Sequence, residues 1–416
     1  MNILRKLSIV PGLCAAAFLL LPSGVSAQGG LGSAGPDVVV FDLFDTYKWG
    51  SSGSKTAYSV GTESCNRGDE PVLWISNSNE HPVIAQNLYR LKDGRLEQLG
   101  QSWLKHGFVS VNGNACDSCD YPPMGGSQLG VGCSDPYWAS LNGSHSRLGP
   151  RSEVNAFTGE YVMPHGVVPD SGTLTGRLQV ETSDVEPSMN PGATYFVEGQ
   201  YVTQDDALAG NAFNNASYRR VSVSGSNDLL VQDSTVEGQP AIMAWSAIDP
   251  EVQIAEEAVP GEGTFFVASR VYDNGDETWR YEFAVFNLNS HRSARSFSVP
   301  INETTTISNA GFRDVPYHSG EPYDGTDWSF AMEPDLNRVS WSTESFDTNE
   351  NANALRWGTM YNFWFDADEP PNESTGELGL FRPGTPQSIS VMVKSPRVLG
   401  AEIFSDDFES GDTSSW

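Results

Sequence analysis

Positive charge is scarce in this chain: 24 Lys and Arg stand against 53 Asp and Glu, for a formal net charge of −29. So acidic a surface repels phosphate backbones and anionic lipid, which argues against nucleic-acid and membrane-surface binding and suits solubility or the uptake of divalent cations. Long apolar runs are missing after the N-terminal stretch, and nothing later approaches the ~18–20 residues that a membrane helix needs. Helix signals are nearly absent, and no repeat of solenoid or propeller period occurs. Catalytic signatures are lacking too: there is no Gly-x-Ser-x-Gly elbow, no His-x-His and no His-Glu-x-x-His. Cysteine is rare, five in all, and one of these, Cys14, falls in the apolar N-terminal stretch.

What is present describes a turn-rich β protein. Aromatics at 11%, with 41 Gly and 25 Pro, exclude disorder, which needs low hydrophobicity and few aromatics. At 416 residues the chain exceeds the usual size of one hydrophobic core, which predicts two domains. Met1 to Ala27 has a basic start (Arg5, Lys6), an apolar run from Leu13 to Leu21 and a small-x-small end at Val25-Ser-Ala27, so it reads as a secretory signal cleaved after Ala27. Leu13 before Cys14 argues against a lipid anchor there. Cleavage removes two basic residues and takes the charge to −29 − 2 = −31. The expected organisation is a signal peptide at 1–27, an N-terminal β domain at 28–233, a C-terminal β-sandwich at 234–400 and a short terminal segment at 401–416. The fold class is all-β, two packed antiparallel sandwiches of jelly-roll or immunoglobulin-like type with a long stapled loop.

Strand-like runs at Val83 to Leu91 and Arg95 to Leu99 flank Lys92-Asp-Gly94, a strong hairpin signal. Thr264 to Tyr272 and Thr278 to Asn287 flank Asp273-Asn-Gly-Asp276, which predicts a second hairpin with a type I′ Asn-Gly turn. Alternation from Gln101 to Val111 puts Leu104, His106 and Phe108 on one face. Glu251 to Ala258 is the best helical candidate, one or two turns ended by Pro260. From Asn112 to Val168 the composition is that of a loop, and so long a loop in a compact domain is usually functional or cross-linked.

The varied chemistry gathers near that loop. Cys65, Cys116, Cys119 and Cys133 are expected to form two disulfides, because Asp117 and Asp120 disfavour a redox thiolate and the isolated Cys65 and Cys133 do not make a zinc ribbon. Either Cys116 joins Cys119 and Cys65 joins Cys133, or the Cys-x-x-Cys pair is split between the other two. His106, His145 and His165, with Asp135 and Glu153, are the candidates for a catalytic or metal site, and a carbonyl-bonded, partly buried His106 is the plainer reading. Ser134-Asp135-Pro136 reads most simply as a turn. Acidic loops at Asp205-Asp206, Asp273 with Asp276, Asp324 to Asp327 and Asp347 to Asn353 are candidates for calcium, with Asp324, Asp327, Asp347 and Asn349 as the ligand set. Trp328, Trp341, Trp357, Tyr361 and Trp364 are either sandwich core or a sugar-stacking row, with core the default.

The tail, Ile403-Phe-Ser-Asp-Asp-Phe-Glu-Ser-Gly-Asp-Thr-Ser-Ser-Trp416, resembles a short C-terminal motif, roughly Phe-x-Asp-Gly-Phe-Glu-Ser-Gly-Asp-x-Ser-x-Trp, found on many otherwise unrelated exported bacterial proteins. Asp407 replaces the usual Gly. That resemblance implies export and sorting, not an activity. The body from Cys65 to His165 is also similar to a family of uncharacterised secreted bacterial proteins, which brings no reaction across. Two functional classes follow: a secreted or cell-surface bacterial protein that binds carbohydrate, a surface polymer or calcium without catalysis, or a secreted hydrolase or metal-dependent enzyme. An exposed aromatic row favours the first, and side chains converging in a cleft favour the second.

Overall fold

In the strand Thr264–Asp273, Phe265 and Val267 enter one apolar core while Phe266 and Ala268 enter another. The same double use recurs in Trp279–Asn287, where Tyr281, Phe283 and Val285 face the first core and Ala284 and Phe286 the second. A strand buried on both faces has neighbouring layers on both sides, and that requirement sets the architecture.

The computed structural model describes residues 33–167 and 170–396; the segments assigned to a signal peptide (1–27) and to a C-terminal motif (401–416) lie outside the described residues. The fold is all-β, with antiparallel strand pairing throughout its named sheets. Four layers stack face to face. The outermost N-terminal layer is a pair of three-stranded sheets, one ordered Val38–Asp42, Thr62–Asn66, Ser134–Tyr137 and the other Leu178–Glu181, Lys55–Val60, Thr46–Ser52. They cover one face of a seven-stranded sheet built around Val83–Lys92, Thr194–Val202 and Ala216–Val223. Next comes a five-stranded sheet, in the order Gln253–Ala258, Thr264–Asp273, Trp279–Asn287, Thr359–Ala367, Ile307–Arg313. The last layer is a five-stranded sheet centred on Ala294–Pro300.

Between the two middle sheets, Tyr89, Phe196 and Tyr218 meet Phe266, Phe286 and Met360. Inside this layer sits a polar knot. Arg151 is buried and donates to the carbonyls of Ser102 (2.7 Å), Gly358 (3.0 Å) and Gln86 (3.0 Å) and to Asn87 Oδ1 (2.9 Å). Asn87 Nδ2 in turn donates to Glu198 Oε1 at 2.8 Å, and the other Glu198 oxygen accepts from Ala241 N at 2.6 Å. Gly358 has φ +68°, and a Cβ there would stand 2.6 Å from Arg151 Nη1, so glycine is required twice over.

The hairpin at Lys92-Asp-Gly94 forms with Lys92 opposite Arg95, and Asp93 and Gly94 take φ of +51° and +80°, as a two-residue type I′ turn demands. The second hairpin forms with a wider loop than the expected Asn-Gly turn. Asp273 opposes Trp279, Asn274 N bonds the Thr278 carbonyl at 3.0 Å, and Asp273 Oδ1 accepts from Gly275 N at 2.7 Å, so side-chain bonds shape the connection. Glu251 to Ala258 is not helical. Gln253–Ala258 is a strand paired with Thr264–Asp273, and ladder bonds along a sheet edge outweigh a weak helical propensity. The predicted strand through Val111 is shorter too, because Leu104–His106 ends at Gly107 and leaves Val109 and Val111 exposed.

Both disulfides are formed, in the split pairing: Cys65 with Cys116, and Cys119 with Cys133. They fit an oxidising, extracytoplasmic setting. Among the described residues no helix is long and apolar enough to cross a membrane.

Candidate functional site

Register brings two of the predicted histidines toward a third. Val83 lies opposite His106, which sets His81, just before that strand, against the His106 ring. His81 Nε2 and His106 Nδ1 are 3.0 Å apart, and the His106 and His165 rings are 5.2 Å apart between centroids. Tyr161 closes the group, its hydroxyl donating to the His81 carbonyl at 2.6 Å. The proton order follows from the partners. His81 Nδ1 faces the Ile75 carbonyl at 3.3 Å and carries the proton there, so its Nε2 accepts from His106 Nδ1. His165 Nδ1 likewise donates to the Val167 carbonyl at 2.9 Å. Gly149 makes room for the group, since a Cβ on it would lie 2.8 Å from His106 Nε2 and 3.0 Å from the His165 ring.

The remaining predicted residues are elsewhere or otherwise engaged. Glu153 accepts the Gly166 amide with both oxygens (2.9 and 3.0 Å), which ties down the loop carrying His165. Asp135 is buried in its strand and accepts from Val111 N at 2.5 Å; among the described residues it hydrogen-bonds no histidine and its Oδ2 has no hydrogen-bond partner. His145 sits beside Gly172, Thr175 and Arg177. Two of the calcium candidates meet, Asp324 accepting from Asn349 at 2.8 Å, whereas Asp327 lies near Asp314 and Asp347 lines a cleft with three arginines. Among the described residues no group of three or more His, Cys, Asp or Glu is placed to hold a metal ion.

Within this group His81 and His106 are buried and held neutral at ordinary pH. Burial pushes His81 down to about 4, and burial together with His81, His165, Arg147 and Lys105 pushes His106 down to about 3. His291 and His318 are each lowered to about 4, again chiefly by burial. The stability that these four contribute is complete above their unfolded value of about 6.5 and is lost as pH falls from there through about 4, and for His106 through about 3. Asp135 and Asp206 act in the opposite sense. Burial raises both to about 8, so their contribution is complete below about 3.9 and is lost as pH rises through 8. His106→Gln is therefore expected to flatten the acid limb, losing less melting temperature than wild type between about pH 6.5 and 4. Thermal melts of both proteins across that range check this, and parallel acid limbs would refute it.

An aromatic ledge that sequence reasoning missed stands on the outer N-terminal layer. In the edge strand Thr46–Ser52, Tyr47 packs against Trp49, which sits in a bulge between Lys48 and Gly50, their centroids 4.8 Å apart. Beside them runs the short helix Ala139–Asn142, about 6 Å long. Trp138, immediately before that helix, packs edge-on to Phe44 at 5.1 Å, and Asp45 Oδ1 accepts from Ala139 N at 3.0 Å to hold the two segments together. At the other end Trp49 donates to Ser59 Oγ (2.8 Å), with the Arg177 guanidinium 3.7 Å above its ring. Trp138 is 57% exposed and Tyr47 47%. The C-terminal aromatics differ: Trp328, Trp341, Trp357 and Tyr361 are all core. The missed signal is the alternating Tyr47-Lys48-Trp49.

The chain matches no protein-family model and no curated protein. Solved structures that it resembles include the serine-rich repeat adhesion glycoprotein (Srr1) of Streptococcus agalactiae, with TM-score 0.21, 7% identity, and coverage of 86% of this chain and 97% of that one. A likeness of that size says nothing about ligand or role.

Proposed function

We propose that this is a secreted or cell-surface bacterial protein that binds carbohydrate without transforming it, through the ledge formed by Phe44, Tyr47, Trp49 and Trp138. The supporting observation is the exposure of Trp138 and Tyr47, each packed edge-on against a second ring, Phe44 and Trp49 respectively. Flat apolar faces held rigid by edge-on neighbours suit the apolar face of a sugar ring, while the indole and phenol edges bond its hydroxyls. The disulfides fit export, and the segment 401–416 is read as a sorting signal that acts after it.

Retention on insoluble polysaccharides, followed by calorimetry with the soluble oligosaccharide, tests the reading. Trp138→Ala is expected to weaken binding by about 2 kcal/mol, roughly thirtyfold, with little change in melting temperature, because the indole is mostly exposed. Unchanged affinity in that variant, or no retention on any glycan, would overturn the proposal.

A further inference from the structure

A cleft of about 400 Å³ opens in the C-terminal half, lined by Arg292, Arg295 and Arg382 together with Phe346, Asp347 and Glu377. In a chain with 53 acidic and 24 basic residues, three arginines on one cavity form a local inversion of charge. Two of them are anchored by their own backbone surroundings. Arg292 donates to the carbonyls of Arg382 (3.2 and 3.1 Å) and Pro386 (2.6 Å), and Arg382 Nε donates to the His291 carbonyl at 3.0 Å. No ion pair links either to a carboxylate among the described residues. Arg295 goes further, with neither a hydrogen bond nor an ion pair for its guanidinium among the described residues. Behind the wall, Arg356 lies 4.6 Å over the Phe381 ring, and among the described residues its buried Nε and Nη1 have no hydrogen-bond partner. Of the two lining carboxylates, Glu377 faces Arg338 at 3.7 Å, which leaves Asp347 as the only one without a cation of its own among the described residues.

We propose that this cleft is a second binding site, for the anionic group of an acidic oligosaccharide, either the carboxylate of a uronate or a sulfate ester. This inference rests on the carbohydrate reading for the sugar, but the charge chemistry stands on the cleft alone. A planar guanidinium with free donors accepts either oxyanion through paired charge-assisted bonds. The net negative charge of the whole chain does not forbid it, since at physiological ionic strength the screening length is about 8 Å and a group inside the cleft feels chiefly the arginines around it. Phe346, under the Arg382 guanidinium at 5.4 Å, supplies an apolar wall for the ring that carries the anion.

The test is calorimetry of the full chain with a short oligogalacturonate, a sulfated oligosaccharide of matching length and a neutral one. Arg295→Gln is expected to lower affinity for the favoured acidic ligand at least tenfold and to leave the neutral ligand unaffected, with Arg295→Lys falling between. Raised salt should weaken the acidic ligand selectively. Whichever acidic probe binds more tightly identifies the anion. Equal affinities of wild type and Arg295→Gln, or no preference for either acidic probe over the neutral one, would overturn the proposal. If Arg295→Gln loses the acidic ligand while Trp138→Ala changes nothing, the cleft stands and the ledge falls; the reverse result leaves the ledge and removes the cleft.

Discussion

Removal of both disulfides in one variant, Cys65→Ser with Cys119→Ser, is expected to destabilise the fold by about 7 kcal/mol. The two bonds span sequence separations of 51 and 14 residues and lie one after the other, so each restricts its own part of the unfolded chain. Loop-closure entropy gives about 4 kcal/mol for the longer and about 3 kcal/mol for the shorter, a total comparable with the whole stability of many proteins. Pairing is read from non-additivity. Cys65→Ser and Cys116→Ser should each cost about as much as the two together, since one bond is lost in every case, whereas Cys65→Ser and Cys119→Ser should nearly sum. Denaturant unfolding of the four singles and these two doubles, with Cys65→Ser/Cys133→Ser as a third, checks this. A Cys65→Ser/Cys133→Ser double no worse than its singles would reveal the other pairing.

Arg151→Met carries the next largest effect, a loss of about 3–5 kcal/mol. The methionine fills much of the volume but leaves the carbonyls of Ser102, Gln86 and Gly358 and the Asn87 side chain short of a donor. It also strips the nearby positive charge from buried Glu198, whose carboxyl burial already drives toward the neutral form. Arg151 itself stays charged at neutral pH, although burial lowers it to about 10. Lysine should rescue little, because one ammonium cannot reach four acceptors in the directions that the guanidinium fork spans. Unfolding within about 1 kcal/mol of wild type would mean that the knot contributes nothing beyond packing.

The all-β class and the Asp93-Gly94 hairpin were legible because they depend on local alternation and on residues that tolerate left-handed backbone. The oxidised state of the four cysteines was legible from compartment and spacing, but the partner of Cys65 was not. That choice depends on Ser134–Tyr137 lying beside Thr62–Asn66, a long-range pairing. His106 was visible as a histidine in an apolar row, yet its ring partner is His81 and not a carbonyl, since the register of Val83–Lys92 against Leu104–His106 decides the contact. Exposure of the aromatics was the least legible. Tyr47-Lys48-Trp49 and Tyr361 to Trp364 alternate alike, and what separates them is whether another sheet covers the face, a property of the assembled layers. The arginine cleft collects residues around 292–296, 345–347 and 377–388, and no local pattern announces that meeting.

The apolar layer shared by Phe196, Tyr218, Phe266 and Phe286 forbids the two halves to swing, because any hinge motion would wet it. The spacing of the surfaces on either side is therefore fixed. A surface feature on the Tyr47 edge and one on the Arg295 side are held at a constant separation, and a polymer that touches both gains from the second contact only if its own repeat and stiffness match that spacing. Selectivity among polymers of identical monomer would then be a matter of length and curvature, set by a glue line between sheets that no ligand touches.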